Sequence, residues 1–263
     1  MGFIVDKVLD DSGLKEIYRL RYKVYVEEWG FERPENHPDG IEVDEFDENS
    51  LHFATKDESG SIVGTVRLIL NSSGGFPIER YCNLDINKDK LPRDHLAEIS
   101  RLAISKQCKL NINKDELPQN NLAEISILAI SKQYRRRAED KFIYGPEEER
   151  REIIDTGDTK QCQRRAQDKY HPGELYERRR GPDLVLSLYK AIYHESKRRN
   201  ITHWYAVMTK GLYILLKRFG IGFEPIGQPV DYHGIRTPYL GDIKKIEHEV
   251  SIKNPKLYEE FTR

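Results

Sequence analysis

The sequence predicts a mixed α/β fold, a central mixed sheet flanked by helices, and three observations carry that prediction. The runs 51–56 and 61–70 are β-patterned and joined by Asp57-Glu58-Ser59-Gly60, which reads as an antiparallel hairpin. Leu14, Ile17, Tyr18, Arg21, Tyr22 and Tyr25 recur at helical spacing upstream of that hairpin. In the last third, an apolar helix, a buried strand and an amphipathic helix alternate, which gives a helix-crossed pair.

Taken in order, residues 2–10 form a first strand and Asp11-Ser12 caps a helix that stops at Trp29-Gly30-Phe31. Residues 32–42 hold Pro34, Pro38 and Asp39-Gly40 and are a loop. After the hairpin, a polar connection over 76–95 leads to the strand Leu96-Ala97-Glu98-Ile99-Ser100-Arg101-Leu102-Ala103-Ile104-Ser105. This strand carries a carboxylate, a hydroxyl and a guanidinium within four residues, groups that are costly to bury unless paired or working. Strict alternation puts Glu98 and Ser100 on one face and Arg101 on the other. Residues 134–180 are dense in Arg and Glu and form a charged insert. The helix from Asp183 to Arg199, the strand 201–209, and the helix 211–220 capped by Gly220 follow. Phe223–Gly227 opens a strand, 228–246 returns as a hairpin strand, and 247–263 is a helical tail.

The chain is expected to form one domain over 1–263. Its 43 basic and 44 acidic residues leave no global field that would select nucleic acid or an anionic membrane. No apolar run reaches the length of a membrane span, and no secretory signal opens the sequence, so a cytoplasmic protein is expected. Cys82, Cys108 and Cys162 lack metal-ligand spacing, and no metal site is expected.

Residues 82–107 and 108–133 are a tandem repeat identical at 19 of 26 positions. Glu98 recurs as Glu124, whereas Arg101 is replaced by Ile127. Two copies compete for one place in the sheet. Ile127 would cost the site a charge, which favours the first copy; the second copy runs directly into Tyr134-Arg135-Arg136-Arg137.

Four pieces belong together: Arg21, Tyr25 and Trp29 or Phe31 on the first helix; Asp44-Glu45-Phe46-Asp47; Arg67 in a strand; and Glu98-Ile99-Ser100-Arg101. Their order resembles the acyl-homoserine lactone (autoinducer) synthases. The stretch from Thr202-His203-Trp204-Tyr205 through Val230-Asp231-Tyr232-His233-Gly234 to Pro238-Tyr239 is closer to N-acyl amino acid synthases of the exosortase/PEP-CTERM-associated type. That resemblance implies a GNAT-like acyltransferase fold. It also implies transfer of a fatty acyl group from an acyl-carrier-protein or CoA thioester to the amino group of an amino acid or related amine. Glu98, Ser100 and Arg101 would be the catalytic set. Arg21, Tyr25, Trp29, Phe31, Asp44, Asp47 and Arg67 would line the substrate site through an ion-pair network. Arg135, Arg136 and Arg137 would dock the acidic carrier. The glycine-rich loop that wraps a pyrophosphate is missing after the central strand, which favours a carrier-protein donor. The alternatives are an acetyl-CoA-dependent N-acetyltransferase and a decayed protein that only binds the acyl carrier.

Overall fold

The computed structural model describes residues 4–57, 59–105, 172–232 and 234–263. Its eight-stranded sheet has the order β1-β2-β3-β4-β5-β8-β6, with β7 paired to β8. The strands are β1 (Val5–Val8), β2 (Ser50–Lys56), β3 (Ile62–Leu70), β4 (Leu96–Ile104), β5 (His203–Met208), β6 (Glu224–Pro225), β7 (Val230–Asp231) and β8 (Ile235–Asp242). Every pairing is antiparallel except β4 with β5. The expected mixed α/β architecture is present. The first copy of the repeat occupies the central position, as β4; the second copy, with Glu124 and Ile127, lies outside the described residues.

One face of the sheet carries the larger core. Val66, Leu68, Ala97, Ile99, Trp204 and Ala206 pack there against Leu184, Leu188, Tyr189 and Ile192 of α3 (Pro172–Arg198). Helices α4 (Lys210–Arg218), α5 (Ile243–Lys253) and α6 (Pro255–Thr262) complete this layer. The expected single tail helix is two helices. Asp242 caps α5 by accepting from Lys244 and Lys245, and Asn254-Pro255 breaks the run and restarts it.

The opposite face is covered by α1 (Asp11–Tyr22) and the loop that follows it. Asp10, not the expected Asp11-Ser12 pair, caps α1, accepting from the Gly13 amide at 2.8 Å. Ile17, Leu20 and Arg21 are its buried residues. The helix expected to run up to Trp29-Gly30-Phe31 does so, but beyond Tyr22 it is a π-helical stretch, Lys23–Glu28. Val24, Tyr25 and Val26 are its buried residues. The polar connection 76–95 holds a short helix α2 (Pro77–Tyr81) begun by Pro77 at its first turn.

Two irregularities shape the sheet. The β4–β5 pairing runs only from Leu96↔His203 to Ile99↔Ala206, whereas β4 continues along β3 and β5 along β8. Beyond Ile99 the two neighbours part, and a split opens between them. At the same level β4 is bulged: Thr65 faces Ala103 and Arg67 faces Ser100, so Arg101 and Leu102 together oppose Val66. Arg101 has φ 49°, an uncommon conformation for a residue with a Cβ.

Gly227 forms an isolated bridge with Leu84, tying the 82–91 loop to the sheet edge. A Cβ there would collide with the Asn83 carbonyl. Gly227→Ala is therefore expected to cost about 1–3 kcal/mol, read as a lower urea midpoint with an unchanged slope.

Candidate functional site

The site is built on the α1-facing side of the sheet from two adjacent cross-strand rows. In the first row His52, Arg67 and Ser100 lie opposite one another on β2, β3 and β4. In the second, Ile69, Glu98 and Tyr205 do the same on β3, β4 and β5. The first row lies beneath α1 and the 42–47 loop, and the second beneath Phe46, Phe76 and Ile78.

The first row anchors an ion-pair network. Arg67 reaches Asp44 at 2.6 Å and Asp47 at 2.7 Å, and its Nε donates to the Ser100 hydroxyl at 3.0 Å. Arg21, fully buried, donates to Asp47 at 2.7 Å and to Glu42 at 2.5 Å. Arg101 closes the circuit, with contacts of 3.0 Å to both Glu42 and Asp44. Three guanidiniums thus meet three carboxylates, which is how such charge is tolerated away from water. The loop acids also order their own segment: Asp47 accepts from the Asp44 amide and Asp44 from the Phe46 amide.

Arg101 was expected on the face opposite Glu98 and Ser100. The bulge corrects this: it adds a residue, so Arg101 turns into the network while Leu102 packs on the larger core. Its guanidinium also lies 5.5 Å from the Tyr25 ring centre, and the Tyr25 hydroxyl donates to the Leu102 carbonyl at 3.1 Å. Trp29 and Phe31 stack on each other, centroids 5.7 Å apart, beside Tyr25.

Electrostatics separate the carboxylates. Burial alone would raise Glu42, but Arg21 and Arg101 outweigh it and hold the group at about 2. Burial likewise opposes Arg21 and Arg67 at Asp47, and the arginines again win, keeping it well below the usual range. Glu98 is different. Burial among Phe76, Ile78, Tyr205 and the Cys82 thiol dominates, and its pKa is pushed up to about 8. Among the described residues its one hydrogen bond is from the Ile78 amide of α2, donating to Oε2 at 3.0 Å. Burial also holds His52 neutral, lowered to about 4, with Nε2 3.6 Å from Asp47.

The structure thus brings together Arg21, Tyr25, Trp29, Phe31, Asp44, Asp47, Arg67, Glu98, Ser100 and Arg101. Arg135, Arg136 and Arg137, with Cys108 and Cys162, lie outside the described residues. Sequence reasoning missed Glu42, although three arginines against two aspartates leave one charge unmatched. It also assigned no role to His52, Tyr205, Tyr232 or Arg236. Among the described residues no cluster of three or more His, Cys, Asp or Glu could hold a metal, and no helix is long and apolar enough to cross a membrane.

Two expectations concern stability. Asp47→Asn leaves Arg21 and Arg67 without the carboxylate they share and should cost about 3–5 kcal/mol, measured by urea unfolding. Glu98 acts in the opposite sense. Its folded pKa of about 8 lies above the ordinary 4.5, so the folded state binds the extra proton. The stability that proton supplies is complete below pH ~4.5 and is lost as pH rises through about 8. Glu98→Gln, which keeps an acceptor for Ile78, should therefore gain stability relative to wild type between pH 5 and pH 8.5. A constant difference between the two across that range would contradict the assignment.

Residues 20–112 match the model of the acetyltransferase (GNAT) domain. A search of curated proteins finds no match. Three of the solved structures that share the fold illustrate the likeness. They are BjaI, a CoA-dependent acyl-homoserine lactone synthase solved with SAM and isopentyl-CoA (TM-score 0.58, 17% identity, 99% of this chain and 90% of that one); TofI in a ternary complex with an inhibitor and MTA (0.54, 16%, 98% and 100%); and the acyl-homoserine lactone synthase LasI (0.52, 17%, 90% and 88%).

Proposed function

Starting from a chain that carries a GNAT-type domain on an acyltransferase fold, we propose that it transfers a fatty acyl group from a carrier-protein or CoA thioester to the amino group of an amino acid or related amine. The observation that carries this reading is the split between β4 and β5 beginning one residue beyond Glu98, a buried carboxyl with a raised pKa. An extended pantetheine arm fits such a gap because the backbone of β4 beyond Ile99 is left without a strand on that side. The likeness to BjaI, solved with an acyl-CoA and SAM, supports a thioester donor and an amine-bearing acceptor.

In this reading the acceptor ammonium gives a proton to the Glu98 carboxylate, and the free amine attacks the thioester carbonyl carbon. Amide groups of β4 facing the split stabilise the tetrahedral oxyanion. Collapse breaks the C–S bond, Glu98 returns its proton to the departing thiolate, and the second proton on the attacking nitrogen leaves to water, so the products are the amide, the thiol and one proton. A base near 8 lies much closer in acidity to an ammonium than an ordinary carboxylate does. Ser100 positions Arg67. The ion-pair network holds the 42–47 loop over the cleft. The arginines 135–137 dock the acidic carrier, and the protein works in the cytoplasm.

Expression of wild type, Glu98→Gln and Glu124→Gln, with lipid extracts examined by mass spectrometry, tests the reading. A new N-acyl product should appear with wild type and Glu124→Gln and fall about 10²–10⁴-fold with Glu98→Gln. With purified protein, kcat/KM should rise with pH to a plateau above about 8. Loss only in Glu124→Gln would move the site to the second copy, and no acylated product from wild type would overturn the reading.

A further inference from the structure

Arg236 stands at the start of β8, opposite Val230 of β7, and its guanidinium lies 5.5 Å from the Phe31 ring centre. It is largely enclosed, yet its Nε has no hydrogen-bond partner. Arg101 faces it and repels it, while the hydroxyls of Tyr25 and Tyr232 favour its charge. Arg101 already has Glu42 and Asp44; among the described residues no carboxylate pairs with Arg236. Burial accordingly lowers its pKa. An enclosed guanidinium without a counter-charge is a costly arrangement for the end of a strand to keep.

The surroundings point to a small anion rather than a protein surface. Aromatic pairs flank the cation: Trp29 on Phe31, and Tyr81 on Tyr232 with centroids 5.1 Å apart. Tyr232 joins this pocket to the proposed base, since its hydroxyl feels both Arg101 and Glu98. A cation at one end and an acid at the other complement a zwitterion. A planar guanidinium fork matches a carboxylate in two parallel hydrogen bonds.

Resting on the acyl-transfer reading of this cleft, we propose that Arg236 is a specificity residue that binds the carboxylate of the acceptor, so that the acceptor is an amino acid and not a simple amine. The acyl amide product keeps that carboxylate and shares the contact.

Calorimetry on the full chain with N-decanoylglycine and N-decanoylglycinamide tests this without depending on turnover. Wild type should bind the acid about 10- to 100-fold more tightly than the amide. Arg236→Gln should abolish that preference while leaving amide binding unchanged, and Arg236→Lys should restore part of it. Equal affinities in wild type, or equal weakening of both ligands by Arg236→Gln, would overturn the proposal. So would a weakening by Arg236→Gln confined to the acyl thioester, because the anion bound would then belong to the donor. In turnover assays the same variant should raise KM for amino acids and leave KM for the thioester unchanged. Failure of wild type to acylate any amine would overturn the function proposed above, while the binding comparison would still decide the role of Arg236.

Discussion

Three buried guanidiniums facing three carboxylates are the constraint on which the rest of this structure depends. Arg21 comes from a helix, Arg67 and Arg101 from two neighbouring strands, and Glu42, Asp44 and Asp47 from one loop. None of these charges is tolerable alone in that position, because the loss of water is repaid only by close opposite partners. The helix, the loop and the centre of the sheet are therefore held in one arrangement. The bulge at Arg101 belongs to the same constraint. Its left-handed backbone is unfavourable for arginine, and it persists where it delivers the third cation. Isoleucine at that position, as in the second copy of the repeat, would leave Glu42 with Arg21 alone and Asp44 with Arg67 alone.

Against that balanced network, Glu98 is set apart by what it lacks. It lies one row away from Arg67 on the same face, yet it meets a backbone amide, aromatic rings and a thiol instead of a guanidinium. Acids on one side of the sheet are held charged and act as structure, while a neighbouring acid is held protonated near neutrality and available for proton transfer. Environment divides the roles, not residue type. The parting of β4 from β5 just past Glu98 gives that proton somewhere to go.

Much of this was legible in the sequence because buried charge is conspicuous in a strand. Arg67 within Gly64–Leu68, and Glu98 with Arg101 between apolar neighbours, stand out as costs that need partners. Glu42 did not stand out, since it lies among Glu45, Glu48 and other loop acids that look solvated. The placement of Arg101 was misjudged because alternation assumes a regular strand, and nothing in Ser100-Arg101-Leu102 announces a positive φ. The widened turn at Lys23–Glu28 escaped for a related reason: its residues suit an ordinary helix and give no local sign of it. Arg236 has no local signal at all. Its meaning comes from Phe31 and Arg101, about 200 and 135 positions away in the chain, which only the folded structure sets beside it.

The central claim is that Glu98 keeps its proton near neutral pH, and infrared difference spectroscopy reads that proton directly. Spectra of wild type minus Glu98→Gln, taken from pH 4 to pH 10, isolate the C=O stretch of the protonated carboxyl. The account predicts a band that persists at pH 7 and titrates away with a midpoint near 8. A band that disappears with a midpoint near 4.5 would show an ordinary carboxylate at Glu98 and contradict the account.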